Sequence, residues 1–142
     1  MVDHISIHDI QTKTLFTGDS IGMHWFPKFY ACNSNSIYWK EEDYLKSIKK
    51  IKSLDLDYLC IAHFGIFTGE DIINFIDNSV SMYYKWMEIF DQFSEKLEDL
   101  DFLMDKLWDN IYKEFHDTPM LKESLINAIK NALKYYEGIK KS

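Results

Sequence analysis

The hydrophobic period changes once along this 142-residue chain, near residue 69. Before that point apolar side chains alternate with polar ones or run in short blocks, with one helical stretch between them. After it they recur at three and four residues almost to the end. Alternation splits side chains between the two faces of a strand, whereas three-four spacing gathers them on one face of a helix. The expectation is an α/β unit over residues 1–69 and an all-helical extension over residues 70–142. Four of the five Gly fall at or before residue 69, where turns are needed. No second shift in composition and no repeat of fixed period divides the chain further.

Within the first part, His4-Ile5-Ser6-Ile7-His8 alternates as a half-buried strand does. Asp9 to Lys13 reads as a polar turn and Thr14 to Thr17 as a second strand, so the two form a hairpin that ends at Gly18-Asp19-Ser20. Residues 20 to 40 read as one long irregular loop, with Pro27 and the tract Asn33 to Ser36; a loop of that length inside a domain usually has a function. Tyr44, Leu45, Ile48, Ile51 and Leu54 predict an amphipathic helix over about residues 41 to 53. Tyr58 to Ala62 is a continuous apolar run, as in a fully buried strand, and stops at His63. Thr68 and Asp71 have the spacing of a capping box, with Glu70 and Asp71 at the positive end of the helix dipole.

The helix opened there is expected to reach about residue 97 on the spacing of Ile76, Val80, Tyr83, Met87, Phe90 and Leu97. Leu100, Leu103, Leu107, Ile111 and Phe115 mark a second helix. Thr118-Pro119 supplies an N-cap and a proline at the first helical position of a third, which runs to Gly138.

Composition closes several functional classes. At 46% hydrophobic residues, with 10 Phe, 9 Tyr and 4 Trp, the chain can bury a substantial core and is not a disordered segment. Its apolar runs are far shorter than the ~20 residues that cross a bilayer, and no secretory leader is recognised. The net charge is −7, and all sixteen cationic residues are Lys. A chain with no Arg fork and no cationic excess does not fit a nucleic-acid binder. Cys32 and Cys60 lie outside any CxxC pair, which fits a reduced, cytoplasmic protein.

The chemistry-bearing residues gather at strand ends. Asp19 follows the second strand and His63 follows the apolar strand, each at a carboxyl edge, where layered α/β folds build ligand sites. A carboxylate offers a hard anionic oxygen that can bridge two cations, and an imidazole offers a neutral nitrogen. Taken singly, Asp19 also suits a turn and His63 a hydrogen-bonded core position.

In context, the stretches Thr14 to Gly22 (TLFTGDSIG) and Tyr58 to Gly65 (YLCIAHFG) resemble motifs four and five of the metallo-β-lactamase superfamily. Glu42 to Leu54 resembles the helix that joins them, and Asp3-His4-Ile5-Ser6 resembles the segment just after motif three in hydrolases of the glyoxalase II-like branch. The resemblance covers residues 3 to 71, half of the chain. It implies half of an αβ/βα sandwich, with Asp19 bridging two metal ions, zinc or iron, and His63 binding the second. It also implies a metal-activated water that attacks an ester, thioester, lactone or related small molecule.

The hallmark HxHxDH motif is absent from this sequence, and the motif-three His would fall just before Met1. A catalytic zinc takes three protein ligands and a water, so Asp19 and His63 leave the set incomplete. His4 and His8 share one strand face but stand roughly 13 Å apart, too far for one ion. His4 and His24 are expected to support the metal ligands from behind or to contact the substrate. His116 suits a helix C-terminus, Cys60 a core position, and Cys32 lacks the basic neighbours of an activated thiol. No residue is assigned a catalytic role in this chain alone.

Two readings remain open. One is a hydrolase half whose missing ligands come from a separate N-terminal half or a lost segment; the other is a non-catalytic half-fold that self-associates, as a homodimer, and serves as a binding or scaffold protein. The aromatic residues Trp25, Phe26, Phe29, Tyr30, Tyr38 and Trp39 would pack on helices or cover the site. Lys46 to Lys52 form a solvated helix face.

Overall fold

Asp9 closes the first turn with its own side chain. Its carboxylate accepts from the Gln11 backbone N–H at 3.0 Å and from the Thr12 hydroxyl at 2.8 Å. The turn joins β1 (Ile7–Asp9) to β2 (Thr14–Gly18), which pair antiparallel with Ile7 opposite Phe16 and Asp9 opposite Thr14. Lys13, last in the turn, accepts from the N–H groups of Asp57 and Tyr58 on its carbonyl, and its ammonium meets Asp55 at 2.6 Å. One residue thereby seats the start of β5 (Tyr58–Ile61) beside β2. In this computed structural model, residues 5–26, 29–31, 39–63, 65–113 and 119–140 are described.

The fold is mixed α/β, a four-strand mixed sheet plus four helices. The sheet runs β1-β2-β5-β6, with β6 spanning Gly65–Thr68; its central pair β2·β5 is parallel and both outer pairs are antiparallel. The registers align two rows of side chains across all four strands. His8, Leu15, Leu59 and Phe67 form one row. Leu15 and Leu59 of that row are buried, as are Tyr44, Ile48 and Ile51 of α1 (Glu41–Lys52) and Ile72, Phe75 and Ile76 of α2 (Glu70–Gln92). Phe67 stacks on Phe75 with ring centroids 4.5 Å apart, and Lys52 pairs with Asp77 between the two helices. Ile7, Phe16, Cys60 and Ile66 form the opposite row, on the face without this core.

Several expectations change here. The apolar run of β5 is covered on one face only: Tyr58 is exposed and Cys60 half-buried, so the strand is not fully buried. The expected irregular loop contains a second antiparallel hairpin, β3 (Met23–Phe26) with β4 (Phe29–Ala31). Residues 65–68, of which Thr68 alone had a reading, as a helix cap, are strand β6. Helix α2 stops at Gln92, short of residue 97, and a 3₁₀ turn, Ser94–Lys96, follows. His4, Pro27, Cys32, the tract from Asn33 to Ser36, Tyr38, His116 and Thr118 lie outside the described residues.

By backbone contacts the chain forms two compact units that divide within α2, between Met82 and Tyr83. The second unit holds the rest of α2, α3 (Leu100–Leu107), a π-helical segment (Trp108–Tyr112) and α4 (Pro119–Lys140), with proline at the first position of α4 as expected. Asp99 caps α3 by accepting from Phe102 N–H at 3.0 Å. Its core is aromatic: Tyr83, Trp86, Phe90, Trp108, Tyr112 and Tyr136 are all buried. Polar tips inside this core are satisfied, with Trp86 Nε1 donating to the Tyr112 hydroxyl at 3.1 Å and the Tyr136 hydroxyl donating to Asp91 at 2.5 Å. Among the described residues no helix is long and apolar enough to cross a membrane.

Two substitutions test this core assignment by chemical denaturation. Leu59→Ala, which removes a fully buried side chain at the sheet centre, is expected to cost about 2–5 kcal/mol. Tyr112→Phe leaves the Trp86 N–H without its acceptor and is expected to cost about 1–3 kcal/mol.

Candidate metal centre

Parallel neighbours end at the same edge, so β2 and β5 deliver Asp19 and His63 to one rim. A bulge sharpens the delivery. Phe16 pairs with Cys60 and Gly18 with Ile61, which leaves Thr17 as the extra residue on β2. Thr17 is fully buried, and its hydroxyl lies 3.4 Å from the Cys60 carbonyl and 3.3 Å from that of Gly18, donating to both. Bulges bend a strand and redirect the side chains beyond it. Gly18 then takes a left-handed φ of 56°, and its carbonyl accepts from Ala62 N–H at 3.2 Å. Asp19 is held in the turn that follows: the Ser20 N–H and hydroxyl both donate to the Thr17 carbonyl, and Gly22 N–H donates to the Asp19 carbonyl.

His63 occupies the link between β5 and β6, also with a left-handed φ, of 60°. A side chain with a Cβ carries a cost of roughly 1–2 kcal/mol there, which the paired strands on either side must offset. Three residues separate Ile61 from its partner Gly65, the hairpin length that calls for one left-handed residue. Gly65 is required by close approach. A Cβ on it would run into the Ile61 side chain, with Cδ1 at 2.7 Å.

The two side chains meet at the rim, with His63 Nε2 3.4 Å from Asp19 Oδ1. That is longer than an N–H···O hydrogen bond, whose range ends near ~3.2 Å. It equals the edge of a tetrahedron whose ligands stand about 2.1 Å from a central zinc, roughly 3.4 Å. The His63 side chain is 44% exposed and that of Asp19 32%, but the Asp19 Oδ1 that faces His63 is itself buried. The donor types, one imidazole nitrogen and one carboxylate oxygen, suit zinc or iron. Among the described residues no group of three His, Cys, Asp or Glu side chains is placed to hold a metal ion. The pair thus fits two positions of a coordination shell.

The other candidates are placed elsewhere. His24 lies on β3 in an aromatic cluster, its ring 5.0 Å from Tyr30, 5.4 Å from Phe67 and 6.4 Å from Phe75. Burial there holds its imidazole below the ordinary value of 6.5, favouring the neutral ring. His8 lies on β1 opposite Leu15; its Nε2 is buried and makes no hydrogen bond with a described residue. Cys60, half-buried on β5, sits between Phe16 and Ile66 rather than at the rim. The bulge at Thr17, the left-handed His63 and the close approach at Gly65 had no sequence reading, although Thr-Gly-Asp and His-Phe-Gly mark where they occur.

No family model matches the chain, and no curated protein matches it.

The burial of His24 has a measurable consequence. Its imidazole should titrate below 6.5 in an NMR experiment, while the unfolded chain titrates at the ordinary value. Between those two pH values the unfolded state binds the extra proton, so stability should rise with pH through that window and level off above it. In His24→Gln this part of the pH dependence of the unfolding midpoint should vanish.

Proposed function

We propose that this chain is one half of a metal-dependent hydrolase of the metallo-β-lactamase type, with Asp19 and His63 as ligands of a zinc or iron ion. The observation that carries the reading is the 3.4 Å approach of a carboxylate and an imidazole at the shared end of two parallel strands. The order of the two motifs in the sequence supports it independently. When bound, the ion acidifies a water and polarises the carbonyl of a small ester, thioester or lactone. This chain's own contribution is to hold two donors at ligand spacing on a sheet edge, with Asp19 fixed in a hydrogen-bonded turn and His63 between the paired strands β5 and β6. The remaining ligands come from an N-terminal half bearing HxHxDH, so residues 1–142 by themselves do not complete the site. The open sheet face favours a second reading, a half-fold that self-associates and acts as a scaffold without catalysis.

Metal titration separates these readings. Zn²⁺ should bind the isolated chain weakly, and by about ten-fold less in Asp19→Ala or His63→Ala, a loss of about 1.4 kcal/mol. Thioester or lactone hydrolysis should appear only after a chain carrying HxHxDH is added. Equal Zn²⁺ binding by the Asp19→Ala/His63→Ala double variant would remove the ligand assignment. Tight stoichiometric metal in the chain alone would remove the claim of incompleteness.

A further inference from the structure

The sheet's second face is apolar, charge-poor and open. Its central row, Ile7, Phe16, Cys60 and Ile66, crosses all four strands in register, and the next row is Asp9, Thr14, Tyr58 and Thr68. Ile5 lies two residues ahead of Ile7, just before β1. Five apolar side chains are exposed, 76% for Ile5, 60% for Ile7, 48% for Phe16, 47% for Tyr58 and 70% for Ile66, while Cys60 and Asp9 are half-buried and Thr14 is buried. The exposed parts of these five side chains come to on the order of 600 Å², the upper end of the largest apolar patch on an ordinary monomer.

We propose that a second copy of this chain covers this face, sheet against sheet. Area is the first argument. The five apolar side chains supply roughly three-quarters of the ~800 Å² per partner that a standard stable interface covers, and Thr68 and Asp9 lie at the rim to extend it. Charge is the second. The chain is 27% charged with a net charge of −7, yet of the eight residues in the two rows Asp9 alone is charged. The Asp9 carboxylate is already occupied by Gln11 and Thr12 in its own turn. A basic partner finds no acidic surface here, whereas a like-charged copy meets its twin where repulsion is least. Shape is the third. Two twisted sheets of the same sequence pack face to face at about 10 Å, and one patch used by both copies closes at two. The contact does not depend on the metal reading, because neither Asp19 nor His63 belongs to the rows.

Sedimentation of the full chain tests this directly. A dimer is expected at micromolar concentration, and a monomer for Phe16→Lys/Ile66→Lys, whose substituted positions are already exposed in one copy and whose circular dichroism should match the parent. Ile66→Val should remain dimeric. In a Cys32→Ser background, maleimide alkylation of Cys60 should accelerate several-fold on dilution to the monomer or in the Lys double variant. Asp19→Ala should dimerise as the parent does, which keeps this result separate from the ligand assignment. A parent chain that stays monomeric, a Lys double variant that dimerises unchanged, open-ended aggregates, or a Cys60 rate indifferent to concentration would each overturn the proposal.

Discussion

The parallel pairing of β2 with β5 is the constraint on which the first unit depends. It is the only parallel contact in the sheet, and it pairs residues 44 positions apart in sequence, Thr14 opposite Tyr58 through Phe16 opposite Cys60. Parallel strands need a crossover, which here includes α1. Lys13 makes the junction specific, because its carbonyl receives two N–H groups from the start of β5 and its ammonium holds Asp55. A slip of one residue in this pairing would turn Leu59 outward and Cys60 inward, exchanging the buried row for the open one. The same slip would separate Asp19 from His63, since both positions are counted from this register. Core and rim are therefore set by one alignment.

At the rim, local strain and global pairing act together. The bulge at Thr17, the left-handed Gly18 and the left-handed His63 lie within a few residues of the two donors. Of these, His63 is the informative one. Glycine would take the same backbone without a steric cost, and an imidazole takes it only where the flanking strands fix the link on both sides. Gly65 shows how tight that fixing is, because Ile61 fills the space where its Cβ would stand.

What was legible in the sequence follows from how many residues carried each signal. The β1-β2 hairpin, α1 and the helical part after residue 69 were legible because each had a sustained period and a polar or proline boundary, and β5 because its continuous apolar run had a polar residue on each side. The β3-β4 hairpin was not, since Met23-His24-Trp25-Phe26 does not alternate and its pairing is decided by contacts distant in sequence, such as His24 with Phe67 and Phe75. Strand β6 was hidden for a related reason. A three-residue hairpin usually advertises its left-handed position with Gly, and here that position is His63. Reading β5 as fully buried failed because an apolar run carries no information about whether its second face is covered. Asp19 and His63 were legible as strand-end residues, but their 3.4 Å approach needed the bulge, which no local pattern announces.

The open face and the rim are not independent features of this sheet. The boundary between β2 and β5 is the middle of the four-strand order, so Asp19 and His63 project from the centre of the sheet's edge rather than from a corner. Any layer laid on the row Ile7, Phe16, Cys60 and Ile66 stands about 10 Å from it, a gap that side chains from both layers fill. Such a layer covers the open row without drawing on Asp19 or His63, which belong to neither row. What ties face and rim together is the register of β2 with β5, which turns Phe16 and Cys60 outward and ends both strands at the same edge.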